Sequence, residues 1–198
     1  MLVKLLVSLS LLLFLSACGA SKYAVPSKAT DASIINDEKM AYVIFATGKI
    51  GPRAEPIFEY IPETQEFKLV TILGQYQKFI YPTEAGTHYF YSMGGESYDF
   101  LKVETEAGKK YYVHIEFPFF TWRLTPPLLL VPTTDKDVIE EIDTETQLIM
   151  NSQNTQKWYE QRKDNPDFKA AVKERFEDWM EDDMQEKTMP ASSGFALK

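Results

Sequence analysis

Between Met40 and Val131 the chain is cut into short apolar runs by turns bearing glycine and proline, which leaves no room for a long helix. Met40–Thr47 is continuously apolar, the pattern of a central strand covered on both faces. Gly48 to Pro56 reads as a loop. Ile57–Ile61, Phe67–Leu73 and Tyr76–Tyr81 follow, separated by Pro62-Glu63-Thr64-Gln65 and by Gly74. Pro82 to Gly86 makes the next turn. Thr87–Met93, Tyr98–Glu104 and Lys110–Phe117 are rich in Tyr, Phe and Val, which suit a pleated surface. Arg123–Val131 is a further candidate strand, confined by Pro126 and Pro127 to an edge or a bulge. About seven to eight strands with turns every 8–12 residues predict a mainly β fold, an antiparallel β-sandwich over residues 37–133.

After Pro132 the composition changes. Residues 135–187 hold 16 acidic and 8 basic side chains, which accounts for the whole formal charge of −8. A helical period starts at Val138 and Ile142 and strengthens later. Asn165 and Pro166 read as an N-cap and a first-turn proline. Phe168, Val172, Phe176, Trp179 and Met180 form an apolar stripe spaced by three and four. The sequence therefore predicts an acidic C-terminal α-helical segment over 134–187, with residues 188–198 as a disordered tail. A pI near 4.9 disfavours nucleic acid as a partner.

The N-terminus carries a separate signal. Lys4 precedes Leu5–Leu15, an almost wholly apolar run of about 11 residues, well short of the roughly 20 that span a bilayer. The run fits the hydrophobic region of a secretory signal peptide, residues 1–17. It ends Leu15-Ser16-Ala17-Cys18, which resembles the lipobox of bacterial lipoproteins. That resemblance implies cleavage between Ala17 and Cys18 and acylation, including palmitate, of the Cys18 sulfur and amine. Cys18 is the only cysteine, so no intramolecular disulfide or multi-cysteine metal site is available. Gly19 after the cysteine is the pattern that, in enteric-type bacteria, goes to the outer membrane facing the periplasm. Residues 18–36 lack a sustained period and read as a lipidated flexible tether, with an r.m.s. span of roughly 20–25 Å.

Within the strand region, Gly74-Gln75-Tyr76, Pro82-Thr83-Glu84-Ala85-Gly86-Thr87-His88-Tyr89 and Ala107-Gly108-Lys109-Lys110-Tyr111-Tyr112-Val113 resemble small bacterial lipoproteins with a β-sandwich domain of unknown function. They are also similar to the transthyretin- or immunoglobulin-like surface repeats of Pro-Glu-Gly-Ala type. The resemblance covers about residues 40–131 and implies a fold and no activity.

Candidate chemistry is sparse. His88 follows the Gly86 turn, where a ring nitrogen can bond the turn backbone. His114 shares a strand face with Tyr112 and Glu116 by the period of two, so His114 and Glu116 offer two metal ligands where a site needs three or four. The carboxylates from Glu177 to Asp183 lack the alternation and glycine of a calcium loop and read as a solvated helix face. Phe117, Phe119, Phe120 and Trp122 form a candidate exposed binding surface, since Pro118 interrupts the ladder. Phe168, Val172, Phe176 and Trp179 on the helix 166–184 dock either on the sandwich or on a partner. No cofactor motif and no catalytic signature is present. The reading is a non-enzymatic, lipid-anchored envelope module that binds or scaffolds an envelope protein or glycan. The alternatives are a metal-assisted hydrolase using His114 and Glu116 and an assembly factor acting through the amphipathic helix.

Overall fold

The computed structural model describes residues 22–48, 55–94, 97–116, 129–182, 184 and 187–197. In chain order the elements are β1 (Ala24–Pro26), α1 (Asp31–Ile34), β2 (Ala41–Thr47), β3 (Glu55–Ile61), β4 (Glu66–Leu73), β5 (Gln77–Thr83), β6 (Gly86–Gly94), β7 (Ser97–Thr105) and β8 (Lys109–Glu116). Then follow β9 (Leu129–Thr133), α2 (Lys136–Glu145), β10 (Gln147–Asn151), α3 (Gln153–Glu160), α4 (Pro166–Asp182), β11 (Thr188–Met189), a 3-10 turn (Ala191–Ser193) and β12 (Phe195–Ala196).

The strands form two sheets. One runs β1-β10-β5-β2-β8-β12, with β9 also paired to β8, and the other runs β11-β7-β6-β3-β4. The fold is mainly β, as the sequence predicts, but both sheets are mixed. β2 pairs with β8 in parallel, and so do β10 with β5 and β11 with β7. The all-antiparallel expectation is corrected by the path of the chain. After β2 the chain crosses to the second sheet for β3 and β4 and returns as β5, antiparallel to β2. It crosses again for the β6–β7 hairpin and comes back as β8 on the other side of β2, running the same way.

β2 shows how the layers are built. Val43 and Phe45 point into a cluster that also holds Ile57, Val70, Phe90 and Leu101 of the other sheet, so the inner faces share one core. Tyr42, Ile44 and Ala46 point the opposite way, where Ile142, Val138 and Ile139 of α2 and Ile34 of α1 cover them. Every residue of β2 is buried. The second sheet is treated likewise: Phe58, Tyr60, Phe67, Tyr91 and Phe100 on its outer face pack against Val172, Phe176 and Trp179 of α4. The result is four layers, helix–sheet–sheet–helix, with both faces of both sheets apolar. Each fully buried side chain of this size contributes about 1.5–3 kcal/mol, and the aromatics add edge-to-face pairs such as Phe45–Phe90 at 5.0 Å.

Three boundary expectations are corrected. The described part of the tether is structured: Ala24 is buried in the inner core, β1 pairs with β10, and α1 is closed by a capping box between Thr30 and Ser33. The C-terminal tail is likewise used. Met189 is fully buried, β12 pairs with β8, and the Leu197 N–H donates to the Gly108 carbonyl at 2.9 Å. The segment 134–187 is not wholly helical: α2 and α4 cover the sheets, and β10 lies inside one of them.

Candidate functional site

The two histidines occupy different settings. His88 on β6 points between the sheets. Its Nδ1 lies 2.6 Å from Glu59 Oε1 on β3, and its Nε2 lies 3.0 Å from the Glu84 carbonyl. A carboxylate and a carbonyl only accept, so each ring nitrogen faces an acceptor. Tyr81 on β5 of the opposite sheet donates to Glu59 Oε2 at 2.7 Å, and the Thr83 hydroxyl reaches the ring at 3.2 Å. Burial alone would raise the Glu59 carboxyl. The hydrogen bonds from His88 and Tyr81 and the positive charges of His88 and Lys68 outweigh it and hold the group below its ordinary range. Burial and the bond to Glu59 push the Tyr81 hydroxyl upward. With both ring nitrogens engaged, the cluster ties the sheets together, and His88 bonds the turn backbone as its position after Gly86 suggests.

His114 sits on the outer face of the first sheet, with Nδ1 3.5 Å from Glu116 Oε1. Gly48 passes so close that a Cβ there would lie 3.1 Å from His114 Nε2 and 3.8 Å from a Glu141 oxygen. The two residues share a face as the period of two requires. Among the described residues no group of three or more His, Cys, Asp or Glu is arranged to hold a metal ion.

A second buried charge lies on that face. Lys78 on β5 has a side chain only 4% exposed. Its Nζ donates to Asp31 Oδ2 of α1 at 2.6 Å and to the Asp143 carbonyl of α2 at 3.3 Å. Tyr112 reaches Asp143 Oδ2 at 3.2 Å. One lysine thus pins both covering helices to the sheet.

The stripe on α4 is spent within the chain. Val172, Phe176 and Trp179 are buried, and Phe168 stacks its edge on Phe67 at 4.9 Å. Asn165 caps the helix as expected, accepting from the Asp167 and Phe168 N–H groups. The partner-docking use of this face is corrected, because the sheet already covers it. On the outer side Lys173 and Arg175 pair loosely with Glu177 and Asp178. Ala17, Cys18 and the aromatic group Phe117, Phe119, Phe120 and Trp122 lie outside the described residues.

One surface feature escaped the sequence reading. Where the chain enters the fold, a shallow groove of about 200 Å³ is lined by Lys22, Tyr23, Asn154, Lys157, Trp158 and Gln161. The Lys22 carbonyl accepts from Ser152 Oγ at 2.7 Å and from Asn154 Nδ2 at 3.1 Å, and the Tyr23 carbonyl accepts from the Ser152 N–H and the Thr155 hydroxyl. Arg162 lies over the Trp158 ring at 4.6 Å. The signal available in the sequence was the absence of acidic residues from 22–30 and from 146–159, in a chain with 29 of them. Nothing in the sequence shows that these two segments meet. Compared with known proteins, the chain matches no family model, no curated protein and no solved structure.

Proposed function

We propose that the protein is a lipid-anchored bacterial envelope lipoprotein, acting as a non-enzymatic binding or scaffolding module on the periplasmic side of the outer membrane. The observation that carries this reading is Leu15-Ser16-Ala17-Cys18 at the end of a short apolar run. Every residue type has a part in that chemistry. The run engages the export machinery, small residues admit the peptidase, and the sulfur takes the diacylglyceryl group. Two or more acyl chains make the anchoring lasting, since each buried CH₂ contributes about 0.8 kcal/mol and one chain alone is marginal. The likeness of residues 40–131 to sandwich-bearing lipoproteins belongs to the same reading and brings no catalysis.

The test is expression of the full chain in a lipoprotein-processing bacterium fed a clickable palmitate analogue, with intact-mass measurement of the purified protein. The expected product begins at an acylated Cys18 and carries the label, and Cys18→Ala abolishes the label. A mature protein with a free thiol, or one cleaved elsewhere, overturns the reading.

A further inference from the structure

The chain enters the fold at one edge of the first sheet, and that edge differs in character from the rest of the molecule. β1 is the outermost strand and β10 its neighbour. Val25 and Met150 stand directly opposite each other across this pair. They are 40% and 51% exposed, the large apolar side chains most open to solvent among the described residues. Beside them the segments 22–30 and 146–159 carry Lys22, Lys28 and Lys157 and no acid. None of the three lysines has a carboxylate partner among the described residues. The nearest acids in sequence are already engaged: Asp31 by Lys78 at 2.6 Å, and Glu160 by Lys163 at 3.2 Å and by Gln156 at 2.8 Å.

We propose that this edge is the bilayer-facing side of the protein. Lys22, Lys28 and Lys157 would sit among anionic phospholipid headgroups, with Val25 and Met150 at the headgroup–acyl boundary. The proposal rests on the acylation of Cys18. Tyr23 is held by Ser152 and Thr155, so only residues 19–22 separate the acylated residue from the fold. The four steps from Cys18 to Lys22 span at most about 14 Å. That is less than the radius of gyration of roughly 16 Å for a chain of this length. A leash so short keeps β1 next to the membrane and prevents the molecule from turning another side to it. A lipid chain combined with basic side chains is also the pairing that makes peripheral anchoring firm. The side-chain charge of −9 left once residues 1–17, with Lys4, are removed opposes apposition only weakly, because charges beyond a Debye length of about 8 Å are screened.

The lipidated full chain itself serves for the test, because acylation consumes its only thiol. In Met150→Cys a thiol-reactive environment-sensitive fluorophore labels one site if Cys18 is acylated and two if it is not, so failure of the anchor is read separately. The control is Ala196→Cys on β12, the opposite edge of the same sheet, four strand spacings or about 19 Å from β10. In vesicles of phosphatidylcholine with phosphatidylglycerol, the probe at position 150 shifts to the blue and resists aqueous iodide, while the probe at 196 is quenched freely. Lys22→Glu with Lys157→Glu removes the protection at 150, as does pure phosphatidylcholine. Each lost cation weakens apposition about fivefold. Equal quenching at 150 and 196, or protection at 150 that survives both the charge reversal and the neutral lipid, overturns the proposal.

Discussion

His88 Nδ1 and Glu59 Oε1 meet at 2.6 Å in the space between the two sheets, and Tyr81 from the opposite sheet closes the same carboxylate. The carboxyl is held below its ordinary range. Its stabilising contribution is therefore complete above the ordinary carboxylate range and is lost as pH falls through the lowered one. Glu59→Gln should reduce stability at neutral pH by about 1–3 kcal/mol. It should also flatten the fall of the urea midpoint on acidification. A variant whose midpoint falls as steeply as the parent's would show that the pair is not the acid-sensitive element.

Tyr91 offers the opposite sign. It is fully buried against Phe58 and Phe100, and its hydroxyl finds no hydrogen-bond partner among the described residues. Removing an unpaired buried hydroxyl relieves a desolvation penalty. Tyr91→Phe should raise stability by about 1 kcal/mol, visible as a higher urea midpoint with an unchanged slope. A loss of stability would reveal a partner for the hydroxyl.

Lys78 should act locally. Lys78→Met keeps the aliphatic stem and removes the bonds to Asp31 and the Asp143 carbonyl. The expected loss is about 1–3 kcal/mol. Hydrogen exchange should quicken in α1 and the end of α2 before it changes in β2. Uniform acceleration across the protein would mean that the lysine does not pin these helices in particular.

Phe176 tests whether α4 belongs to the core. It packs on Tyr60 at 4.7 Å, Tyr89 at 5.1 Å and Phe100 at 5.6 Å. Phe176→Ala should cost about 3–5 kcal/mol. Deleting residues 164–198 should leave a chain that binds hydrophobic dyes and aggregates. A soluble, cooperatively folding truncation would return the helix to the role of a partner-docking element.

At the C-terminal edge, a Cβ on Gly194 would lie 2.6 Å from Tyr111 Cζ and 2.8 Å from Lys109 Cδ. The lysine can move, but the tyrosine ring is fully buried and its hydroxyl donates to the Ala191 carbonyl. Gly194→Ala should therefore cost about 1–3 kcal/mol and release β12, seen as faster amide exchange at Leu197. Unchanged exchange there would show that the ring has room to shift.

Much of the fold was legible where a local pattern met a local constraint. The unbroken run at 41–47 reported burial on both faces, and the Asn165-Pro166 cap and the stripe behind it reported α4. The faces of the other strands were not legible, for a physical reason. Alternation marks a sheet with one wet face. Here helices cover both sheets, so Phe58 and Ile57, or Tyr91 and Phe90, are apolar on opposite sides. The short strands β1, β11 and β12 carry no periodic signal, because two or three residues cannot. Their pairing is decided by what lies beside them: Ala24 fits the core, and Met189 slots beside Val103 on β7. The histidine-to-turn bond could be read from Gly86 and His88, but Glu59 is 29 residues away and nothing in its surroundings marks it as the partner. The acid-free stretches at 22–30 and 146–159 stood in plain view, yet their union depends on a strand pairing between segments more than 120 residues apart.

That pairing also sets a schedule. Ala24 waits for Asn151, which follows it 127 residues later in the chain. Until then the first strand has no ladder to join, and the sheet it borders is missing an edge. The protein therefore cannot mature from its beginning forward. The first strand is finished late, and any helper that guards the unfolded chain has its longest task at the end that emerges first.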